Sequence, residues 1–296
     1  MNQNPPIFPK SLDHLVLPVS SLETARTRLT ALGFTVAPDG HHPFGTSNAC
    51  VFFNDDTYFE PLAISDLKVY QHEVERGNSF LRRDQLYRKS IGENGFSLIA
   101  LTSNDANSER ERHLELGYDC GPMVSFRRDV EQPDGSNKQI SINLFITSTE
   151  NSPNLALFSC QWLSEKIIDV ALKTHANGVV EISSIAILAD AAANDYFSNI
   201  AGPFQPGSQN IELDNTKLNL MSAAELKQAY DIDIEDNTPC IRAMAVDLVV
   251  TDIFYTAVVL RISGITSKQI GKRLVVAPAD GQGYTIAFIE QDEPNK

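Results

Sequence analysis

The chain has 296 residues, of which 42% are hydrophobic, enough for one large or two ordinary domains with cores of their own. A formal net charge of −14 argues against a nucleic-acid partner, since little here could neutralise a row of phosphates. No apolar run reaches bilayer-spanning length and MNQNPPIFPK lacks the apolar core of a signal peptide, so the expected location is the cytoplasm, with no membrane partner.

In chain order, Leu12–Val19 is an apolar run interrupted by His14, and Thr57–Ile64 is another interrupted by Glu60. Both are short and rich in β-branched or aromatic residues, which predicts buried strands. Between them Ser21–Gly33 reads as an amphipathic helix with Leu22, Ala25, Leu29 and Leu32 on one face. Ser20 or Ser21 would cap it, and Gly33 stands where a glycine ends a helix. The unit is strand, helix, then two or three strands.

Residues 66–91 are polar with helical period and broken at Gly77-Asn78, a connecting helical segment. A second unit follows: strand Gly95–Leu101, helix Asn104–Leu116, strands Met123–Asp129 and Gln139–Thr147 around a Pro133-Asp134-Gly135-Ser136 turn, and strand Asn154–Trp162. Residues 164–178 read as a further helix linking two halves. A third unit has strand Ile182–Leu188, helix Ala191–Ile200, and a hairpin around Asp214-Asn215. A fourth has strand Ile241–Val250, helix Thr251–Ser263, and strands Lys272–Ala277 and Tyr284–Glu290. Helices stopped at Gly33, Gly117, Gly202 and Gly264 give the chain a loose repeat. Four units in two pairs predict an α+β protein divided at 8–165 and 179–292. The cysteines (Cys50, Cys120, Cys160, Cys240) are far apart without CxxC spacing, and read as buried free thiols in a reducing compartment.

The stretches LDHLVLPV, HHPFGTSN and TYFEPLAI resemble the glyoxalase-like domain branch of the vicinal oxygen chelate superfamily, which includes glyoxalase I and the extradiol dioxygenases. The resemblance implies repeated βαβββ modules, with a metal-binding His on the first strand and a metal-binding Glu on the last. Here these are His14 and Glu60. Aligning the second unit on the first puts Ser97 at the place of His14, and Gln161, or else Cys160, at that of Glu60. The resemblance thus implies a ligand set of His14, Glu60 and Gln161, with Glu60 also available as a base. In the third unit Ser184 and Asn219 occupy the matching places; in the fourth, Ala245 and approximately Glu290. The C-terminal pair has therefore lost its ligands.

A non-haem iron site wants two histidines and one carboxylate, and only one histidine is supplied by position; His41 or His42 is the nearest substitute. The GTSN loop resembles the family's substrate-facing loop, which implies His42, Thr46 and Asn48 as substrate contacts. An Arg-then-PDG stretch implies an anion-binding Arg128. A lone His in an apolar strand is ordinarily a satisfied core residue, whereas a buried Glu60 without a partner is costly. Two functions are expected: a metal-dependent lyase or isomerase of a small oxygenated substrate, or a non-catalytic protein binding such a molecule. A divalent metal (zinc, manganese, iron or nickel) would be weakly bound or absent, and a homodimer is left open.

Overall fold

The computed structural model describes residues 10–131, 137–149, 154–234 and 241–291; the Pro133-Asp134-Gly135-Ser136 turn and Cys240 lie outside the described residues. The first module comprises β1 (Leu12–Pro18), α1 (Leu22–Ala31), β2 (Gly40–His41), β3 (Thr46–Asn48), β4 (Val51–Phe52) and β5 (Tyr58–Ile64). Two helices, α2 (Leu67–Arg76) and α3 (Ser79–Ser90), lead to the second: β6 (Leu98–Thr102), α4 (Ala106–Glu115), β7 (Val124–Glu131), β8 (Asn137–Thr147) and β9 (Ala156–Trp162). The third comprises β10 (Val179–Leu188), α5 (Asn194–Ile200), β11 (Asn210–Glu212) and β12 (Lys217–Met221), followed by α6 (Ala223–Tyr230). The fourth is β13 (Arg242–Val250), α7 (Ile253–Ile262), β14 (Lys268–Ile270), β15 (Arg273–Val276) and β16 (Thr285–Glu290).

Two sheets result, ordered β2-β3-β5-β1-β6-β9-β8-β7, with β4 also on β5, and β11-β12-β10-β13-β16-β15-β14. In each, the opening strands of two modules lie antiparallel side by side, β1 with β6 and β10 with β13. Each opening strand is flanked by the parallel closing strand of its own module. This is the α+β architecture of paired βαβββ-type modules. The third module is a strand short; Phe204 makes only an isolated bridge to Ile211.

Side chains alternate across each strand, so the first sheet has two different faces. Leu15, Leu17, Phe59 and Ile99 enter one core shared with Ile185, Val246 and Phe288 of the second sheet and with Leu29 of α1 and Phe197 of α5. On the opposite face Val16, Leu62, Leu98 and Phe158 lie under Phe80 and Leu81 of α3. His14 and Glu60 share the parity of this second face.

Local chemistry explains how the linker docks. Ser21 caps α1 by accepting from the Thr24 amide at 3.1 Å, and Gly33 leaves the helix at φ +90°. A Cβ on Gly33 would also stand 2.8 Å from Asn177 Cβ, so the position needs glycine for conformation and for space. Asn177 Nδ2 donates to the Leu32 carbonyl at 2.9 Å, which ties the end of the linker to the end of α1.

The linker departs from expectation. Residues 164–178 form no α-helix, only a single 3-10 turn at Val170–Lys173. Lys166, Lys173, His175 and Asn177 each bond to a different part of the first sheet or α1. Spread anchors of this kind favour an irregular path over a helical one. Helix α6 was not expected, although Ser222 and Glu225 form a full capping box at its start. Among the described residues no helix is long and apolar enough to cross a membrane.

Candidate small-molecule site in the N-terminal module pair

Parallel pairing of β1 with β5 sets His14 opposite Tyr58 and Val16 opposite Glu60. His14 Nε2 stands 3.4 Å from Glu60 Oε2, and the Tyr58 ring stacks on the imidazole at 4.4 Å between centroids. Asn48, from β3, donates through Nδ2 to Glu60 Oε1 at 2.6 Å. His42, in the loop before β3, brings Nε2 to 3.7 Å from the same oxygen. Its Nδ1 is hydrogen-bonded to Thr46 Oγ1 at 2.9 Å, so Thr46 orients His42. Glu60 is thus the common neighbour of His14, His42 and Asn48, His14 at one carboxylate oxygen and His42 and Asn48 at the other, with Thr46 behind them.

The backbone adds a residue that strand periodicity hides. Asp13 precedes His14 and in an unbroken strand would face the other way. The β1–β6 register shifts between Leu12 and His14, and this irregularity lets Asp13 turn to its neighbour. Asp13 Oδ1 accepts from His14 Nδ1 at 2.6 Å, while Oδ2 accepts from Trp162 Nε1 at 3.1 Å and Lys166 Nζ at 3.3 Å. The bond to Nδ1 fixes the ring and aims Nε2 at Glu60. Asp13, Trp162 and Lys166 carry no motif or spacing that marks them in the sequence; the adjacent Asp-His pair is the only hint.

Charge follows from these contacts. Burial disfavours ionised Glu60, but the His14 hydrogen bond and charge, the His42 neighbour and the Asn48 amide bring its pKa down to about 2. Burial also opposes a charged His14, yet hydrogen bonds to Asp13 and Glu60 outweigh it and raise its pKa. Asp13 is held ionised in the same way, against burial, by His14 and Lys166. For His42 burial wins and lowers the pKa to about 4, leaving a neutral imidazole. Asp13 and Glu60 thus face His14, whose protonated form they favour, and the Lys166 ammonium.

The enclosed space over this group is only about 30 Å³, room for a water or two, and Phe44, Phe80 and Phe126 contribute to its walls. Beside it lies an open cleft of about 760 Å³ bordered by Phe52, Ile167 and Leu172. Asn48 and Arg128 line both spaces, so they form the doorway between them.

The second module contributes differently from the alignment. Its register pairs Leu98 with Ala156 and Ala100 with Phe158, and β1 pairs His14 with Ala100 and Val16 with Leu98. The pseudo-twofold relation therefore equates His14 with Leu98 and Glu60 with Phe158. Ser97 is one residue out and faces the other way, a slip that period-two alternation turns into the wrong face. Gln161 stands apart from Glu60: its Oε1 accepts from the Ala106 amide at 3.3 Å and its Nε2 donates to the Asn104 carbonyl at 2.7 Å. It braces the start of α4, on the face away from Glu60. Cys160, the other alignment candidate, does face the chamber.

Two imidazoles and a carboxylate are donor types that suit a divalent ion. Their positions do not bring them together as ligands. Among the described residues the group whose ligand atoms all lie within 4.8 Å of one another is Asp13, His14 and Cys160. Burial raises the Cys160 thiol well above its ordinary pKa, which keeps it protonated and a poor ligand. Asp13 is already engaged by three donors. Half of the two-module set is hydrocarbon, at Leu98 and Phe158. The residues do not fit a tightly chelated metal.

The profile of a family described as a glyoxalase-like domain matches residues 12–196. No curated protein matches the sequence. Among solved structures, a hypothetical protein from Staphylococcus aureus is 11% identical with a TM-score of 0.64, over 95% of this chain and 100% of that one. A mutant of 4-hydroxymandelate synthase from Streptomyces coelicolor is 9% identical, TM-score 0.55, over 98% and 95%. A xylose isomerase-like TIM barrel/4-hydroxyphenylpyruvate dioxygenase fusion protein is 12% identical, TM-score 0.52, over 99% of this chain and 50% of that one. At these identities the likeness is one of fold. With well over half of its length matched by the family profile, and with two sheets of paired modules, the chain belongs to the glyoxalase-like domain family of the vicinal oxygen chelate superfamily.

Proposed function

We propose that the protein binds a small oxygenated molecule in the N-terminal cleft, its polar end directed toward Asn48, His42 and Glu60, and that this needs no tightly held metal. The observation that carries the reading is the pseudo-twofold pairing of His14 and Glu60 with apolar Leu98 and Phe158. A carboxylate with a pKa of about 2 is also a weak base at neutral pH. Glu60 is thereby suited to accept a ligand hydroxyl or amide rather than to take a proton from carbon.

A second reading, a metal-dependent lyase or isomerase, is favoured by one observation: His42 Nε2 approaches Glu60 to 3.7 Å on the side opposite His14. Titration calorimetry with zinc, manganese, nickel and iron(II) separates the two. The first reading expects affinities no tighter than micromolar, reversed by chelator. Sub-micromolar affinity that vanishes in both His14→Ala and His42→Ala overturns it in favour of the metalloenzyme.

A further inference from the structure

Arg128 reaches the doorway from β7. Its Nε is buried and has no hydrogen-bond partner among the described residues. The guanidinium lies against Gly40, where a Cβ would collide with Nη1 and come within 2.5 Å of Asn48 Oδ1. The missing side chain at Gly40 is what lets the guanidinium and the Asn48 amide sit side by side. A buried guanidinium N–H without an acceptor is costly, and the same side chain lines the cleft that a ligand can enter.

Charge counting says what kind of ligand. In the chamber the Asp13 and Glu60 carboxylates already have contacts of their own, with His14, Trp162, Lys166 and Asn48, and neither engages the Arg128 guanidinium. Arg128 is also the sole Lys or Arg among the described residues lining the outer cleft, whose rim carries Asp39, Asp129 and Asp169. Those carboxylates oppose a multiply charged anion while leaving room for a single charge at Arg128. The other walls are apolar: Phe52, Ile167, Ile168 and Leu172. A planar guanidinium offers parallel N–H donors that match the two oxygens of a carboxylate.

We propose that the cleft takes a monocarboxylate with an uncharged apolar body, its carboxylate on Arg128 and its body along Phe52, Ile167, Ile168 and Leu172. The proposal rests on the cleft being the ligand site, as argued above, and adds the ligand's class and direction.

The protein contains a single tryptophan, Trp162, and it lines the chamber, so its fluorescence reports what arrives there. Titrations with hexanoate, hexanamide, acetate and inorganic phosphate are run on the wild type, Arg128→Gln and Arg128→Lys. Hexanoate is expected to bind saturably, and hexanamide, acetate and phosphate about tenfold or more weakly, in line with a lost charge-assisted hydrogen bond or lost apolar contact. Arg128→Gln is expected to weaken hexanoate by about tenfold or more and leave hexanamide unchanged, with Arg128→Lys intermediate. Hexanamide matching hexanoate, or hexanoate unaffected in Arg128→Gln, overturns the anion seat while the cleft reading stands. Phosphate or acetate binding as tightly as hexanoate overturns the monocarboxylate class. No response to any probe overturns the proposal and the cleft reading together.

Discussion

In the second sheet Ser184 and Asn219 stand where His14 and Glu60 stand in the first, because the register Ser184↔Lys217, Ala186↔Asn219 matches His14↔Tyr58, Val16↔Glu60. The fourth module supplies Ala245 and, by pairing of Asp247 with Ala287, Ala287 rather than Glu290. With small residues on the strands, α6 settles onto that face and buries Tyr230 against Ala186, Ala245 and Ala287. Asp247 then accepts from Ser184 Oγ, Tyr230 Oη and, at 2.9 Å each, Arg273 Nε and Nη2. The N-terminal half covers the same face with α2 and α3, but keeps a chamber and leaves Arg128 Nε without a hydrogen-bond partner among the described residues. One strand order therefore carries two outcomes. Where the buried carboxylate on the face is shared among protein donors beneath a helix, the face is held as structure; where an arginine Nε without a partner among the described residues borders a chamber, it is a candidate binding face.

The largest effect expected from this contrast is on stability of the C-terminal half. Asp247→Ala strips Arg273, Tyr230 and Ser184 of a shared acceptor and should cost about 3 kcal/mol, the lower end for breaking a buried pair because Arg273 is 32% exposed. Urea denaturation measures it, and hexanoate binding by the remaining folded protein should be unchanged. A loss below about 1 kcal/mol would show that the second face is not held by this network.

Acid should act next, and mainly on the first half. His42 has its pKa lowered from 6.5 to about 4, so its stabilising contribution is present above 6.5 and is lost as pH falls toward 4. At about 1.4 kcal/mol per pKa unit that is roughly 3 kcal/mol as an upper limit. His113, lowered to about 3 by burial, adds to the same slope from 6.5 downward, and Glu60 loses its contribution between 4.5 and about 2. His14, whose pKa is raised, works oppositely: its contribution is full below 6.5 and fades as pH rises through the folded value. Urea midpoints measured from pH 8 to pH 4 should fall on acidification, and less steeply in His42→Asn. An unchanged slope in that variant would remove His42 from the buried chamber.

Restoring the missing half-site is the next test. Leu98→His combined with Phe158→Glu places an imidazole and a carboxylate at the positions equivalent to His14 and Glu60. Zinc affinity by calorimetry should rise about tenfold or more over wild type, as ligand number goes from two toward four. No gain would mean that the pseudo-twofold positions do not face one point. The smallest effect is expected at Ser97, whose buried Oγ has no partner among the described residues. Ser97→Ala should be neutral or stabilising by up to about 1 kcal/mol in thermal denaturation, with no change in binding.

The repeat was legible because its signals are local. A helix followed two residues later by glycine, and short apolar runs around it, need only backbone geometry and burial, and Gly33, Gly117, Gly202 and Gly264 all take positive φ. His14 and Glu60 stood out for the related reason that a charge in an apolar strand demands a partner. Parity against a neighbouring strand is another matter. Alignment by sequence matches Ser97 with His14 and Gln161 with Glu60, whereas the register between β1, β6 and β9, set by pairing and not by either strand's own residues, matches Leu98 and Phe158. The linker's path, likewise, follows anchors contributed by remote elements.

Amino-acid order alone thus determined the module pattern, the strands that open and close each module, and the pair of ionisable groups in the first. Tertiary structure alone decided that a register shift turns Asp13 onto His14, and that a loop histidine meets Glu60. It also decided that the second module answers with Leu98 and Phe158, and that Gly40 seats Arg128 beside Asn48. The physical reason is range. Propensity, capping and periodicity act within a few residues, whereas which charges face one another, and which remain unpaired, depends on contacts between segments far apart in the chain.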